Sequence, residues 1–166
     1  MPNKPLLISF ISLAVTPRIF MLTDNSAPVQ CSRTIIINAK AEKVWAVLTD
    51  IDNWNKWLST VKQSKLNGPL QPNTTFDWKS GGFDIHSTLH TVTPFSKFGW
   101  TGKVYGIYAI HNWSFKELNG VTEVAVSESM QGFLARLFKK SFNKTIEKDM
   151  EVSLELLKAA CENCNP

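Results

Sequence analysis

The sequence predicts an α+β domain: a curved antiparallel sheet of six to seven strands wrapped around one long C-terminal helix, with two short helices after the first strand. Three observations carry this expectation. The stretch IIINAKAEKVWAVLTDIDNWNKW, Ile35 to Trp57, passes from a β-branched run into a helical pattern and ends in a Trp-rich turn. Between 60 and 129, apolar-rich runs are separated by Gly, Pro and Asn turn residues. From Gln131 to about Ala160, large apolar residues recur at helical spacing. A sheet that precedes one long amphipathic helix must bury its apolar face, and curling round the helix does so.

The totals fit one domain. The 166 residues are 43% hydrophobic and 19% charged, which is globular rather than disordered composition and enough for a real core. Six Trp and ten Phe fill cores and also line apolar pockets. A net charge of +4 is mild, and no basic stripe interleaved with aromatics is present, so nucleic acid is not an expected partner. Three cysteines, Cys31, Cys161 and Cys164, do not make a disulfide framework. Cys161 and Cys164 have redox or half-zinc spacing without a second ligand pair, so neither a metal nor a cofactor is expected.

Residues 1–28 stand apart as an N-terminal extension, and 29–162 form the expected domain. The apolar run Leu6 to Val15 is too short for a bilayer span, which needs about 20 residues. It suits the core of an export signal, but no small-x-small cleavage site follows. Signal, anchor and dispensable extension therefore stay open. The expected location is cytoplasmic, with export or membrane association through residues 1–20 as the alternative.

In chain order, CSRTIIIN (31–38) is a strand. Asn38 can cap the next helix, and Glu42 suits the dipole in its first turn. Ala41, Val44, Trp45 and Leu48 form that helix's apolar face. Asp50 to Trp57 reads as a second short helix. Strands follow near 60–66, 74–79, 83–93, 97–104, 106–117 and 121–129, and Asn119-Gly120 is the strongest hairpin signal. The final helix, Gln131 to Ala160, is ~45 Å long. Leu134, Leu137, Phe138, Phe142, Ile146, Met150, Leu154 and Leu157 mark its apolar stripe. The steps are often four residues, so the stripe winds and the two ends meet different surroundings.

This order of elements resembles the START and birch-pollen-allergen superfamily, the helix-grip fold, and within it the polyketide cyclase/dehydrase and lipid-transport group. The residues that carry the resemblance are IIINA, EKVWAVLTD (Glu42 to Asp50) and the NWNKW turn ending at Trp57. TVTPFSKFGWTG (Thr91 to Gly102), HNWSF (His111 to Phe115) and NGVTEV (Asn119 to Val124) extend it. It covers roughly 30–160. It implies an apolar cavity between sheet and long helix, and no enzyme branch's catalytic signature carries over. The Cys-x-His pairs of the oxygenase branch are absent.

Candidate residues follow from parity. Phe98 and Trp100 share one face of a strand, as do His111, Trp113 and Phe115. Asp84, His86, Thr88 and His90 share a face opposite Phe83, Ile85, Ser87 and Leu89, and hydrophobicity turns the second set inward. His86 and His90, ~13 Å apart along the strand, cannot share an ion. The expected ligand-binding set is Trp57, Phe76, Trp78, Ile85, Leu89, Phe98, Trp100, His111, Trp113, Phe138 and Phe142. Glu128, in parity with Val124 and Val126, reaches the cavity rim and could join His111 as an acid–base couple. Arg136, Lys139, Lys140 and Lys144 fall on one helical face and are candidates for transient membrane contact.

The sequence thus favours a binding protein over an enzyme: a lipid-like or polyketide-like molecule in an apolar cavity, in a monomer or weak dimer. A cyclase or dehydrase using His111 and Glu128 is the alternative, and a co-chaperone or protein-interaction module is a minor third reading.

Overall fold

The computed structural model describes residues 23–163. The readings of residues 1–22 and of Cys164 lie outside them.

The first strand, β1 (Val29–Ile37), leads into α1 (Ala41–Thr49) and a 3-10 helix (Ile51–Lys56). Six strands follow: β2 (Val61–Leu66), β3 (Thr75–Ser80), β4 (Phe83–Thr93), β5 (Lys97–Val104), β6 (Ile107–Leu118) and β7 (Val121–Gly132). The chain ends in α2 (Phe133–Leu137) and α3 (Lys139–Glu162). The seven strands form one antiparallel sheet in the order β1-β7-β6-β5-β4-β3-β2. Consecutive hairpins build six of the strands, and β1 closes onto β7 from the far end of the sequence.

Local chemistry fixes the register. In the β6–β7 hairpin, Leu118 pairs with Val121 across Asn119 and Gly120, whose φ values are 55° and 80°. Two positive φ angles make the primed turn that suits strand twist, and Asn and Gly tolerate them best. The β5–β6 hairpin turns in the same way on Tyr105 and Gly106, at φ 44° and 76°. A bulge between Leu89 and Thr91 turns Val92 inward opposite Phe98.

The core fills the concave face. Trp54 of the 3-10 helix is fully buried between Phe76 and Trp100, and its Nε1 donates to the Leu48 carbonyl at 2.7 Å. Trp45 of α1 packs edge-on against Phe98 and Phe115. From α3, Ile146, Met150, Leu154 and Leu157 are buried. Arg33 of β1 ties this helix down through Glu147 and through Glu151 at 3.3 Å. The residues just before β1 join the domain as well: the Asp24 amide donates to Ser129 Oγ at 3.0 Å, and Ala27 is buried.

Two expectations need correction. Asn38 does not cap α1. The cap position is Lys40, without a side-chain bond, and the Ala41 amide is satisfied instead by Glu117 Oε2 at 2.7 Å. The Asn38 amide donates to Glu162 Oε1, so residues distant in sequence replace the local cap. The C-terminal helix is also not continuous from Gln131. Strand β7 runs on to Gly132, and the helix breaks at Phe138, with φ −107° and ψ 28°. Gly132 sits at φ 120° and ψ 173°, a conformation essentially restricted to glycine, and this turns the strand into α2.

Candidate functional site

Between the concave sheet and α3 lies a cavity of about 490 Å³. The sheet contributes alternate residues, because strand side chains face inward with period two. From β6 these are Ile107, Ala109, His111 and Trp113; from β7, Val126, Glu128 and Met130. The 3-10 helix end brings Trp54 and Trp57, β3 brings Trp78, and β5 brings Trp100. Leu134 of α2 and Phe142, Ile146, Asp149 and Met150 of α3 form the facing wall.

A polar row crosses this apolar surface. Register places Trp100, His111 and Glu128 directly opposite one another on β5, β6 and β7. The His111 imidazole stacks on the Trp100 indole, 4.3 Å between centroids and 11° between planes. Its Nδ1 lies 2.7 Å from Glu128 Oε2, and the two side chains are only 16% and 14% exposed. When Glu128 is ionised and the imidazole neutral, Nδ1 carries the proton and donates it, and Nε2 keeps a lone pair. Nε2 is buried and has no partner among the described residues, and the indole nitrogens of Trp57 and Trp113 are in the same condition. Asp149 is an exposed residue at the cavity edge, and partial desolvation of its carboxyl, and next to it the charge of Glu128, raise it above its ordinary range. An imidazole held by a stacked ring and a carboxylate, with its other nitrogen buried and unpartnered, can accept a proton or a hydrogen bond from a guest that reaches it.

The cavity brings together Trp57, Trp78, Ile85, Trp100, His111, Trp113 and Phe142 from the expected ligand-binding set, together with Glu128. The others lie elsewhere. Phe76, Leu89 and Phe98 are wholly buried beneath the short helices and belong to the core. Phe138 is 51% exposed at the break before α3, away from the cavity lining. His86 is exposed on the outer face, 2.6 Å from Asp77. His90 also lies outside: a Cβ built on Gly99, which points away from inward-facing Phe98 and Trp100, would meet its ring. Burial holds the His90 pKa down at about 4.

Sequence reasoning missed Ile107, Ala109, Met130 and Asp149 as lining residues. The first two share parity with His111, and Met130 shares it with Glu128, so extending those rows would have found them. Asp149 is a charge beside the apolar stripe of α3, three residues after Ile146, and only the helix rotation reveals its orientation.

A family profile described as polyketide cyclase/dehydrase and lipid transport matches residues 28–162. Among solved structures, a hypothetical protein from Helicobacter pylori superposes with TM-score 0.74 at 18% identity, covering 83% of this chain and 90% of that one. A START superfamily protein from Mycobacterium smegmatis gives 0.67 at 14% identity, covering 82% and 99%. The Zhui aromatase/cyclase from a Streptomyces species gives 0.70 at 12% identity, covering 81% and 93%. No curated protein matches the sequence. At these identities the structural likeness speaks for the fold.

Proposed function

Because the chain belongs to the polyketide cyclase/dehydrase and lipid transport family, we propose that it takes up a hydrophobic small molecule, polyketide-like or lipid-like, between its sheet and α3. The observation that carries this reading is the His111–Glu128 pair, buried in a cavity walled mostly by apolar and aromatic side chains. About 490 Å³ is within the range of small-molecule sites. Binding would remove apolar ligand surface from water, at about 25 cal/mol per Å². The unpartnered Nε2 of His111 and the unpartnered indole N–H groups of Trp57 and Trp113 would orient the polar end of the guest.

The same pair favours a second reading, a cyclase- or dehydrase-type reaction. His111 Nε2 accepts a proton from a carbon next to a ligand carbonyl, Glu128 stabilises the imidazolium, and the proton returns to a hydroxyl that leaves as water. The rest of the rate gain would come from holding a flexible chain in one folded pose.

Native mass spectrometry of freshly purified protein, then extraction and identification of what comes off, tests the binding reading. A discrete apolar adduct, or uptake of at least one member of a panel of fatty acids, phospholipids, polyphenols and aromatic amines, is the expected result. A clean apo mass with no uptake sinks it. His111→Ala and Glu128→Gln separate the two readings. A carrier loses some affinity only, whereas an enzyme keeps its affinity and loses turnover.

Loading through a membrane surface fits the same reading. Arg136, Lys139, Lys140 and Lys144 are exposed beside exposed Phe133, Leu137 and Phe138, next to cavity-lining Leu134. Cations over apolar side chains suit an anionic bilayer surface. Cosedimentation with anionic vesicles at low salt, lost in Lys139→Glu/Lys140→Glu, is expected; equal recovery with neutral vesicles refutes it.

A further inference from the structure

The cavity wall is unusual in its charge. It contains two carboxylates, Glu128 and Asp149, and one imidazole, yet among the described residues no lysine or arginine lines it. The imidazole is already engaged with Glu128 at 2.7 Å. The pair is therefore neutral or negative whether or not His111 is protonated, as long as Glu128 is ionised. Asp149 accepts no hydrogen bond through its carboxyl among the described residues. Besides the two carboxylates and the imidazole, the lining carries the hydroxyls of Thr60, Tyr105 and Thr145 and the buried, unpartnered indole N–H groups of Trp57 and Trp113. Trp113 is 3% exposed, so its N–H is a buried polar group awaiting a partner.

A free fatty acid or a phosphate ester fits this wall poorly. Its anionic head would be desolvated beside like charges with no cation to meet it, and a buried charge needs a partner. A protonated amine fits well. It supplies N–H donors to the carboxylates and the imidazole, and indole faces attract a cation. The rings of Trp57, Trp78, Trp100 and Phe142 suit a flat apolar body.

We propose that this cavity selects a hydrophobic amine, its ring system packed among the indoles and its protonated nitrogen held by Asp149 and the His111–Glu128 pair. The proposal rests on the reading of the cavity as a ligand site and names the class of ligand.

The test is calorimetric titration of the full chain with three probes that share one apolar body: naphthylethylamine, naphthylethanol and naphthylacetic acid. The amine is expected to bind tightest and the acid weakest, with about tenfold or more between them, equivalent to roughly 1.4 kcal/mol. Asp149→Asn is expected to weaken the amine severalfold and leave the alcohol unchanged. If the acid binds as tightly as the amine, or if Asp149→Asn shifts all three alike, the amine proposal is wrong while the cavity still binds. If none of the three binds and native mass spectrometry shows no adduct, the ligand-site reading falls and takes this proposal with it.

Discussion

At the scale of single residues, His90 shows how burial becomes a stability property. It sits on the outer face beside Thr91, whose Oγ1 is 2.8 Å from its Nδ1, and burial lowers its pKa to about 4 against 6.5 for the free side chain. A backbone hydrogen bond that the ring donates to Trp100 opposes the lowering, and the nearby His111 adds to it. The folded-state value is the lower one. Below pH 6.5 the unfolded chain binds a proton that the folded chain refuses, so this contribution to stability is complete above pH 6.5 and is lost as the pH falls towards about 4. The loss should be about 2 kcal/mol, allowing for the partial solvation of the ring. Urea denaturation across that window measures it, and His90→Asn should flatten the difference relative to wild type. An unchanged pH slope in the variant would show that other groups carry it.

At the scale of elements, the junction between β7 and α2 decides the shape of the site. Gly132 is held at φ 120°, and a Cβ there would overlap the carbonyl oxygen of Gly106 in the β5–β6 turn. That close approach lets the sheet end and α2 begin within one residue, which places Leu134 on the cavity. Gly132→Ala should cost roughly 1–3 kcal/mol from backbone conformation alone, and more if the turn must move. Thermal denaturation reads the loss. Ligand uptake should suffer further, because the junction borders the cavity. A substitution as mild as Ala at Gly82, where a Cβ meets nothing, is the control for generic turn strain. If both variants melt alike, the Gly106 contact does not matter.

At the scale of the whole molecule, the hairpins give local order and the β1–β7 pairing gives closure. Cys31 of β1 lies opposite Glu128, so the first strand completes the row that holds His111. The cavity wall thus combines β7, which β1 flanks, with α2 and α3. A guest that binds only this folded state should raise the melting temperature with concentration. The gain would be about 2.7 kcal/mol at one hundred times the dissociation constant, read by differential scanning fluorimetry. A ligand that binds without raising the melting temperature would have to bind the unfolded chain equally, and would not be a cavity ligand.

The sequence by itself determined the element order, the antiparallel sheet, the long helix and the partnership of His111 with Glu128. These rest on short-range rules. Parity assigns faces, and His111 and Glu128 lie equally far along the chain from the Asn119-Gly120 turn, so a two-residue hairpin sets them side by side. The tertiary structure alone decided which inward-facing residues meet open space. Phe76, Phe98 and Leu89 share the inner face with Trp78 and Trp100, but Trp54 and Trp45 are packed on Phe76 and Phe98 and leave no room beside them. The fate of Phe138 and the role of Asp149 depended on where α3 starts and how it is rotated. A strained glycine and long-range contacts set both, and no local periodicity encodes them.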